Sequence, residues 1–299
     1  MFTKNIDLHT HSTVSDGSFS PAEIIRAALN LNLGAVALTD HDSVGGIDEF
    51  LQAAVATDLI AVPGVEVSCL FSGREVHLLG FFLDHHNQPL QEFLEKVRHS
   101  RNERNEEMLR RLRSLGYDIT LEEVKASAGG DSVGRLHVAT LLIEKGYFKD
   151  VKQAFERCLK RGAPGFCPRR LPHPEEAIRL IHQAGGITVW AHPVYRNKFA
   201  RSHVRGMIRK MKPLGLDGIE GYYPGYTPAQ HTMLLELAAM FEVTVSGGTD
   251  FHGDNLPSIR LGTGDGNFFV PGACFSGLRE YYDKWKQNQT STSSGGDIE

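Results

Sequence analysis

The sequence predicts an α/β barrel-like domain that is interrupted by a helical insertion. Short apolar runs of strand length alternate with helical patterns up to residue 86 and again over residues 166–287. This alternation is typical of a parallel sheet or barrel. Between residues 87 and 165, helical patterns follow one another without a convincing strand. We therefore expect a barrel over residues 1–86 and 166–287, a helical cap over residues 87–165, and a disordered Ser/Thr/Gly-rich tail over residues 288–299.

The first predicted elements follow from apolar periodicity and from helix-start signals. Residues 6–11 alternate apolar and polar side chains, which predicts a strand. Ser20, Pro21 and Glu23 predict a helix start, because serine caps the first amides, proline fits the first turn and glutamate completes a capping box. That helix is expected to end near Leu33. The same reasoning predicts strands over residues 35–39, 59–67 and 76–83 and a helix over residues 46–56.

The insertion and the second half of the barrel follow the same rules. A long helix is expected over residues 90–116, and shorter cap helices over residues 121–127, 136–144 and 151–160. The Gly-Ala-Pro-Gly segment at residues 162–165 ends the insertion, since glycine and proline interrupt helices. The sequence then predicts helices over residues 174–183, 205–211 and 228–241, alternating with strands over residues 187–191, 218–222 and 243–246.

Composition excludes several classes of protein. Of 299 residues, 41% are hydrophobic and 23% are charged, which is ordinary for a globular chain and excludes wholesale disorder. Apolar runs are far shorter than the ~20 residues that cross a bilayer, and no signal-peptide pattern is present, so we expect neither a membrane protein nor an exported one. The four scattered cysteines form no C-x-x-C pair, which argues against disulfides and thiolate zinc sites and favours the cytoplasm. A net charge of −4 argues against binding of long duplex nucleic acid.

Potential metal ligands stand on the predicted strands or just after their carboxyl ends. In an α/β barrel these ends meet at one face, where the loops that follow the strands build the active site. A lone histidine is more often a hydrogen-bonded structural residue than a ligand. Here six histidines and three carboxylates share one edge of the predicted barrel: His9, His11, Asp16, His41, Glu66, His77, His192, Asp250 and His252.

Such a cluster of titratable groups predicts a metal centre. Without a metal, burying each of these groups would carry a desolvation penalty on the order of several kcal/mol. Imidazole and carboxylate ligands without thiolate suit Zn, Mn or Fe. Nine ligands suffice for two or three ions if Glu66 bridges two of them. Because such centres activate water and can hold the oxygens of a phosphoryl group, the cluster predicts a hydrolysis reaction.

Most of these residues occur in motifs that resemble the PHP (polymerase and histidinol phosphatase) family. The motifs are Asp7-Leu8-His9-Thr10-His11-Ser12, Ser15-Asp16-Gly17, Thr39-Asp40-His41-Asp42, Gly64-Val65-Glu66 and Asp250-Phe251-His252. The resemblance covers most of the chain and implies a distorted (β/α)7 barrel with a trinuclear centre. It places one metal on His9, His11, Glu66 and Asp250, a second on Glu66, His77 and His192, and a third on Asp16, His41 and His252. We expect two to three divalent ions, with manganese favoured over zinc or iron.

Within this family, Asp16 stands where histidinol phosphatases commonly carry histidine. Together with the helical insertion and Gly134-Arg135-Leu136-His137, it resembles the branch of 3′,5′-nucleoside bisphosphate phosphatases, which includes 5′→3′ exonucleases acting on short RNA. The resemblance implies that a hydroxide bridging the metals attacks a phosphate ester. The expected substrate is a 3′,5′-nucleoside bisphosphate that loses its 3′-phosphate, or a short RNA that loses 5′ nucleotides. The oligomeric state stays open.

Arginines of the insertion are candidates for holding a second phosphate. Arg101 and Arg104 interrupt the apolar stripe of the long helix, and arginine suits bidentate phosphate contacts. A solvated helix with charge pairs to neighbouring glutamates explains these two residues equally well. Arg135 and His137 stand at the start of a predicted helix, where side-chain donors combine with free helix amides. With the family resemblance, they are the stronger candidates.

Three other functions remain alternatives. A histidinol-phosphatase-like phosphomonoesterase shares the motifs but commonly has histidine at the position of Asp16. An amidohydrolase-type deaminase or amide hydrolase shares the barrel and the ligand types but usually has fewer metals. A non-enzymatic accessory PHP module would show lost ligands, and all nine are present. Phosphate release from a panel of nucleotides separates these alternatives.

Overall fold

Seven strands form one sheet whose spatial order follows the order of the chain. The structure, a computed structural model, describes residues 3–128, 133–194 and 201–293. The strands are β1 (Ile6–Asp7), β2 (Ala35–Leu38), β3 (Ile60–Phe71), β4 (Arg74–Phe81), β5 (Ile187–Trp190), β6 (Gly218–Tyr222) and β7 (Thr244–Gly247).

The sheet curves until its first and last strands meet. β1, β2 and β3 pair in parallel, as do β5, β6 and β7. The amide of Leu8 donates to the carbonyl of Gly247 at 3.1 Å, and a parallel bridge joins Thr10 to Phe251. These contacts join the β1 edge to the β7 edge. The predicted distorted seven-stranded barrel is confirmed.

β4 is antiparallel to both of its neighbours, so the prediction of a uniformly parallel barrel was wrong at this strand. β3 extends to Phe71 instead of ending near residue 67, and Ser72 and Gly73 return the chain directly into β4. Both turn residues have positive φ, +50° and +76°, the geometry that closes two-residue hairpins. Strand–helix alternation fails here because a hairpin replaces the crossover helix that a parallel neighbour requires.

Ten α-helices accompany the sheet in the described residues. They are α1 (Pro21–Asn30), α2 (Ile47–Ala54), α3 (Gln88–Ser114), α4 (Leu121–Ala128), α5 (Arg135–Glu144), α6 (Val151–Ala154), α7 (Pro174–Gln183), α8 (Arg201–Met211), α9 (Pro228–Phe241) and α10 (Gly272–Ser293). The predicted capping box of α1 is present, with the Glu23 amide donating to the Ser20 hydroxyl at 3.2 Å and the Ser20 amide donating to the Glu23 carboxylate at 2.8 Å. No helix within the described ranges is both long and apolar enough to cross a membrane.

The barrel interior is an apolar cluster completed by α10. Inward-facing side chains such as Leu8, Phe81 and Val189 pack with Phe275 and Leu278 of this helix. The sequence did not predict α10, which continues to Ser293. Residues 288–293 are therefore helical, which corrects the predicted disorder of this part of the tail. Residues 294–299 lie outside the described residues.

The helix α3 connects the barrel to the cap. Leu90 and Leu94 in its first half belong to the outer core of the barrel, whereas Met108 and Leu112 in its second half belong to a separate core shared with α4 and α5. The predicted helix over residues 151–160 is present as α6 followed by a π-helical turn, Phe155–Leu159. The cap therefore has its own core and stands on the barrel through one long helix.

Candidate metal centre and the adjoining arginine cavity

Buried carboxylates shape the two segments that present the predicted ligands. Asp40 accepts hydrogen bonds from the amide and hydroxyl of Ser12 at 2.7 and 2.6 Å and from the hydroxyl of Ser15 at 2.5 Å. Asp7 accepts from the amide and hydroxyl of Thr249 at 2.9 and 2.6 Å. These bonds hold the loop after β1 and the end of β7 in place. They account for Asp7, Ser12, Ser15 and Asp40, four of the polar residues that accompany the ligands in the motifs.

Close backbone approach and unusual dihedral angles mark the same segments. A Cβ at Gly248 would lie 2.3 Å from the amide nitrogen of His9, so only glycine lets the end of β7 approach β1 this closely. Asp250 has φ +58° and His192 has φ +32°, both in the left-handed region that non-glycine residues rarely adopt. Such conformations persist where the surroundings impose them, and they concentrate at functional sites.

His9, His11, Glu66 and Asp250 bring four potential ligand atoms together. Nε2 of His9 lies 3.5 Å from Glu66 Oε2 and 3.3 Å from Asp250 Oδ1. Nε2 of His11 lies 3.3 and 3.0 Å from the same two oxygens. Ligands bound tetrahedrally at about 2.0–2.2 Å from one ion stand about 3.4 Å from each other, so this spacing suits a divalent metal.

The carboxylate of Glu66 faces two groups of potential ligands. Its Oε2 faces His9 and His11, whereas its Oε1 lies 2.8 Å from Nδ1 of His77 and 3.0 Å from Nε2 of His192. Glu66 is completely buried. Because each oxygen meets a different set of imidazoles, the geometry suits the predicted bridging role.

Asp16, His41 and His252 form a third group together with His11. Nε2 of His252 lies 3.3 Å from Asp16 Oδ1, and Nε2 of His41 lies 3.7 Å from Asp16 Oδ2. Nδ1 of His41 lies 2.9 Å from Glu66 Oε2, so this ring stands between the groups. The structure thus brings all nine predicted ligands into one continuous cluster, and their assignment to individual metals stays a prediction.

Several buried atoms of the cluster fit a cation. Within the described part of the chain, four of them approach one another closely but make no hydrogen bond of suitable geometry: Nε2 of His9, Nε2 of His11, Nδ1 of His41 and Oε2 of Glu66. A buried polar atom without a partner costs about 1–3 kcal/mol. The converging imidazole and carboxylate atoms are ligand types that divalent transition metals prefer, so these residues fit the metals that the sequence predicts.

Burial and neighbouring charges shift the pKa values of the groups in the cluster. Burial raises the pKa of Glu66, but the charges of His41, His77 and His9 outweigh it and hold this pKa well below its usual range. Burial and repulsion from His252 lower the pKa of His11 to about 4, so its imidazole is neutral at pH 7. A charged carboxylate and a neutral imidazole are the forms that bind a metal ion. Nearby carboxylates raise the pKa of His77 and of His252 to about 10 despite their burial, so these two imidazoles release a proton when a metal binds.

Asp42, the residue after His41, joins the barrel to the cap. Nη2 of Arg101 and Nη2 of Arg169 each lie 2.7 Å from Asp42 Oδ2. Burial raises the pKa of Asp42, but the two guanidinium groups outweigh it and hold this pKa well below its usual range. Arg101 is buried, which excludes the solvated-helix interpretation for this residue. Its ion pair is a role that the sequence did not indicate.

A cavity of about 480 Å³ lies beside this ion pair and is lined by Arg101, Arg104, Arg135, Arg161 and Arg169. Within the described residues, the buried Nε atoms of Arg101, Arg104 and Arg169 have no hydrogen-bond partner. Burial and the neighbouring guanidinium groups lower the pKa of Arg104 to about 10. A second cavity of about 780 Å³ shares Arg135 and Arg161 with the first and is also lined by His41, Glu66, His77, His192 and Asp250. The metal cluster and the arginine cavity therefore adjoin.

Sequence reasoning identified only part of this cationic wall. Arg104 and Arg135 line the arginine cavity as predicted, whereas Arg161 and Arg169 were missed. Glu75 contributes one carboxylate to both cavities. Nδ1 of His137 accepts a hydrogen bond from the amide of Gly134 at 3.2 Å and caps the start of α5. With Nδ1 accepting, the proton of the neutral ring lies on Nε2, and the phosphate-binding role of His137 stays a prediction.

Comparison with known proteins identifies the family. Residues 7–166 match the family model of the PHP domain. The chain belongs to the PHP family. It is 36% identical over 250 residues to a 5′-3′ exoribonuclease of Haemophilus influenzae, covering 84% of this chain and 90% of that protein. It is 32% identical over 250 residues to a 3′,5′-nucleoside bisphosphate phosphatase of Chromobacterium violaceum, covering 83% of this chain and 87% of that protein.

Other PHP relatives and solved structures extend the comparison. A 5′-3′ exoribonuclease of Escherichia coli is 32% identical over 290 residues, covering 96% of this chain and 95% of that protein. A structure from Bifidobacterium adolescentis, described as a metal-dependent phosphoesterase, superimposes with a TM-score of 0.78 and 29% identity over 93% of this chain and 95% of that one. The predicted PHP membership is confirmed, and the named activities of these relatives fall in the predicted class of phosphoesterases.

Proposed function

We propose that this PHP protein is a metal-dependent phosphoesterase whose substrates carry a second phosphate beside the reacting one. The substrate is a 3′,5′-nucleoside bisphosphate, which loses its 3′-phosphate, or a short RNA, which loses nucleotides from its 5′ end. One observation carries the proposal: the cluster of potential metal ligands and a wall of five arginines line adjoining cavities. A simple phosphomonoester has no second phosphate that could occupy the arginine cavity.

The nine predicted ligands would hold two to three divalent ions, with manganese as the expected metal and zinc or iron as alternatives. When bound, such ions activate the attacking water and neutralise charge on the phosphoryl group. Glu66 holds the centre together, because its two oxygens face different ligand groups. Ligands that are already in place before the substrate binds lower the activation free energy, because they need no rearrangement during the reaction.

The arginines would bind and orient the phosphate that does not react. Arg104, Arg135 and Arg161 line the arginine cavity, and the described residues provide no salt-bridge partner for any of the three. A doubly charged phosphate would relieve their mutual repulsion and accept bidentate hydrogen bonds. Both activities named for the relatives, on RNA and on a nucleoside bisphosphate, involve substrates with more than one phosphate, which supports this assignment.

The arginine cavity predicts a substrate-dependent effect of Arg135→Ala. Losing a charge-assisted hydrogen bond costs about 1.5–3 kcal/mol, so kcat/KM for a 3′,5′-bisphosphate is expected to fall roughly ten- to a hundredfold. Hydrolysis of an aryl phosphate, which has no second phosphate, is expected to change much less. Initial rates with Mn²⁺ measure both.

Arg110→Ala is the matched control, since Arg110 is exposed and pairs with Glu107 on the far part of α3. It is expected to leave both rates unchanged. Equal losses on both substrates in Arg135→Ala would instead assign Arg135 to the metal centre or to the fold, and the two-phosphate model would be wrong.

A substrate panel tests the proposed function as a whole. Phosphate release and product analysis with Mn²⁺ would compare adenosine 3′,5′-bisphosphate, histidinol phosphate and a 5′-phosphorylated RNA trinucleotide. We expect the bisphosphate or the trinucleotide to be preferred. Preference for histidinol phosphate would support the histidinol-phosphatase alternative, and hydrolysis of none of the three compounds would contradict the proposed function.

A further inference from the structure

β6 differs from the other strands of the barrel in its contribution to the site. Each of the other six strands supplies at least one predicted ligand, either within the strand or in the segment that follows it. β6 supplies none. Its side chain at this level is Glu220, which is completely buried. A buried carboxylate needs compensating partners, so its contacts reveal its role.

Glu220 binds two of the predicted ligand residues at once. Its Oε1 lies 2.9 Å from Nδ1 of His9, and its Oε2 accepts a hydrogen bond from the amide of His192 at 2.7 Å. His9 belongs to the first predicted metal group, and His192 belongs to the second. One carboxylate therefore connects the two groups, and it does so through atoms that do not face the metal cluster.

The contact with His9 determines which ring nitrogen is available for a metal. A carboxylate only accepts hydrogen bonds, so Nδ1 of His9 must carry a proton to donate to it. Nε2, which faces Glu66 and Asp250, is then the nitrogen that offers a lone pair. Fixing the tautomer in this way also fixes the orientation of the ring.

The contact with His192 holds a backbone conformation that is rarely populated. His192 has φ +32°, and its amide points into Glu220 Oε2. Residues in such conformations persist only where their surroundings impose them. The hydrogen bond supplies that constraint and directs the His192 side chain toward Glu66, 3.0 Å away.

We propose that Glu220 is a positioning residue of the metal centre, setting the tautomer of His9 and the backbone of His192 with a single carboxylate. The proposal rests on the metal centre of the proposed function. It requires a carboxylate at this position, because both contacts are donors and both need an acceptor. An amide has one accepting oxygen and one donating nitrogen. If the glutamine oxygen accepts from the His192 amide, its nitrogen faces Nδ1 of His9 and favours the tautomer with the proton on Nε2, which removes the lone pair that a metal needs.

The residue directly after β6, Tyr223, contacts a third predicted ligand residue. The hydroxyl of Tyr223 donates to Asp250 Oδ2 at 2.8 Å, and Asp250 also has a positive φ. β6 and the residue after it therefore contact three predicted ligand residues. This strand contributes support in place of a ligand.

Glu220→Gln tests the proposal by metal affinity. Loss of a hydrogen bond that orients a metal-binding histidine typically weakens binding about 10- to 100-fold, and we expect a loss of that size for Mn²⁺. The full-length protein is stripped of metal, and Mn²⁺ binding is measured by equilibrium dialysis with elemental analysis and by the EPR signal of free Mn²⁺. Thermal unfolding of the metal-free protein is measured alongside.

Asp217→Asn is the matched control on the same chain segment. Asp217 is buried directly before β6 and accepts hydrogen bonds from the amide and hydroxyl of Thr188 at 2.7 and 3.1 Å. Its substitution is expected to lower the unfolding temperature of the metal-free protein while leaving Mn²⁺ affinity within about twofold. Glu220→Gln is expected to lower the Mn²⁺ affinity strongly and the unfolding temperature of the metal-free protein only slightly.

A double-mutant cycle separates positioning from general stability. On a His9→Ala background, where one of its two partners is already absent, Glu220→Gln is expected to weaken Mn²⁺ binding by a smaller factor than in the wild type. Unchanged Mn²⁺ affinity in Glu220→Gln, or an equal loss in Asp217→Asn, would overturn the proposal. If the wild-type protein binds no Mn²⁺, both the role of Glu220 and the proposed function are overturned. If it binds Mn²⁺ but does not hydrolyse the nucleotide substrates, only the proposed function is overturned.

Discussion

Replacing His9 or Asp250 by alanine is expected to lower kcat/KM for the nucleotide substrates by about 10³-fold or more. Metal ions contribute several kcal/mol to the stabilisation of a phosphoryl transition state, and each 1.36 kcal/mol is a factor of ten in rate. His9 and Asp250 belong to the same predicted metal group, with ligand atoms 3.3 Å apart. Each substitution removes one ligand from a group that converges on a single position.

Initial rates and elemental analysis of the same preparations measure this effect. We expect two to three ions per chain in wild-type protein purified with Mn²⁺, and fewer in both variants. Circular dichroism would show that the fold is retained. His99→Ala is the control, because His99 is exposed on α3 and pairs only with Glu103 among the described residues. Active wild-type protein with one ion or fewer would contradict the multinuclear centre.

Asp42→Ala is expected to have the largest effect on stability. Removing one partner from a buried ion pair costs about 3–5 kcal/mol, because the remaining charge stays buried without compensation. Here two guanidinium groups, those of Arg101 and Arg169, would lose the same carboxylate. At about 2–4 °C for each kcal/mol, the Tm is expected to fall by roughly 10 °C.

Thermal and urea unfolding of the metal-free protein test this expectation. Asp283→Ala is the matched control, since it breaks the exposed pair between Asp283 and Arg279, and such pairs contribute about 0–1 kcal/mol. Arg101→Met is expected to cost less than Asp42→Ala, because Asp42 would still pair with Arg169. A loss in Asp42→Ala no larger than in the control would mean that the two arginines find other partners.

The barrel strands and most ligands were predictable because their signals are local. Strand periodicity places His9 and His11 on one face within a few residues, and apolar runs predict the seven strands. The strand ends were less accurate, since β1 ends at Asp7 instead of residue 11 and β3 extends to Phe71. The β4 orientation was missed because Ser72 and Gly73 form a hairpin where the overall pattern suggested a crossover. Helix α10 was missed although it completes the barrel interior. Its apolar residues pack against Phe81 and other strand residues that are distant in the sequence, and no local pattern shows that contact.

The supporting residues were not predictable in the same way. Glu220 lies in a short apolar strand, and its partner His9 is 211 positions away along the chain. Arg161 lies near the end of the cap and Arg169 follows the cap, and both line the cavity where the chain returns to the barrel. No local pattern distinguishes such residues from solvated charges.

Arg101 shows the physical reason most directly. Helical periodicity placed it on the apolar face of α3, and that placement is correct, since Arg101 is buried. Whether a buried guanidinium binds a substrate or a carboxylate of the protein depends on what packs opposite it, and here Asp42 lies 2.7 Å away. Backbone periodicity and ligand chemistry are properties of short segments, so the fold class and the nine candidate ligands followed from them. The partners of each buried charge are set by packing between distant segments, because electrostatic and hydrogen-bond energies depend on distances that only the folded chain defines.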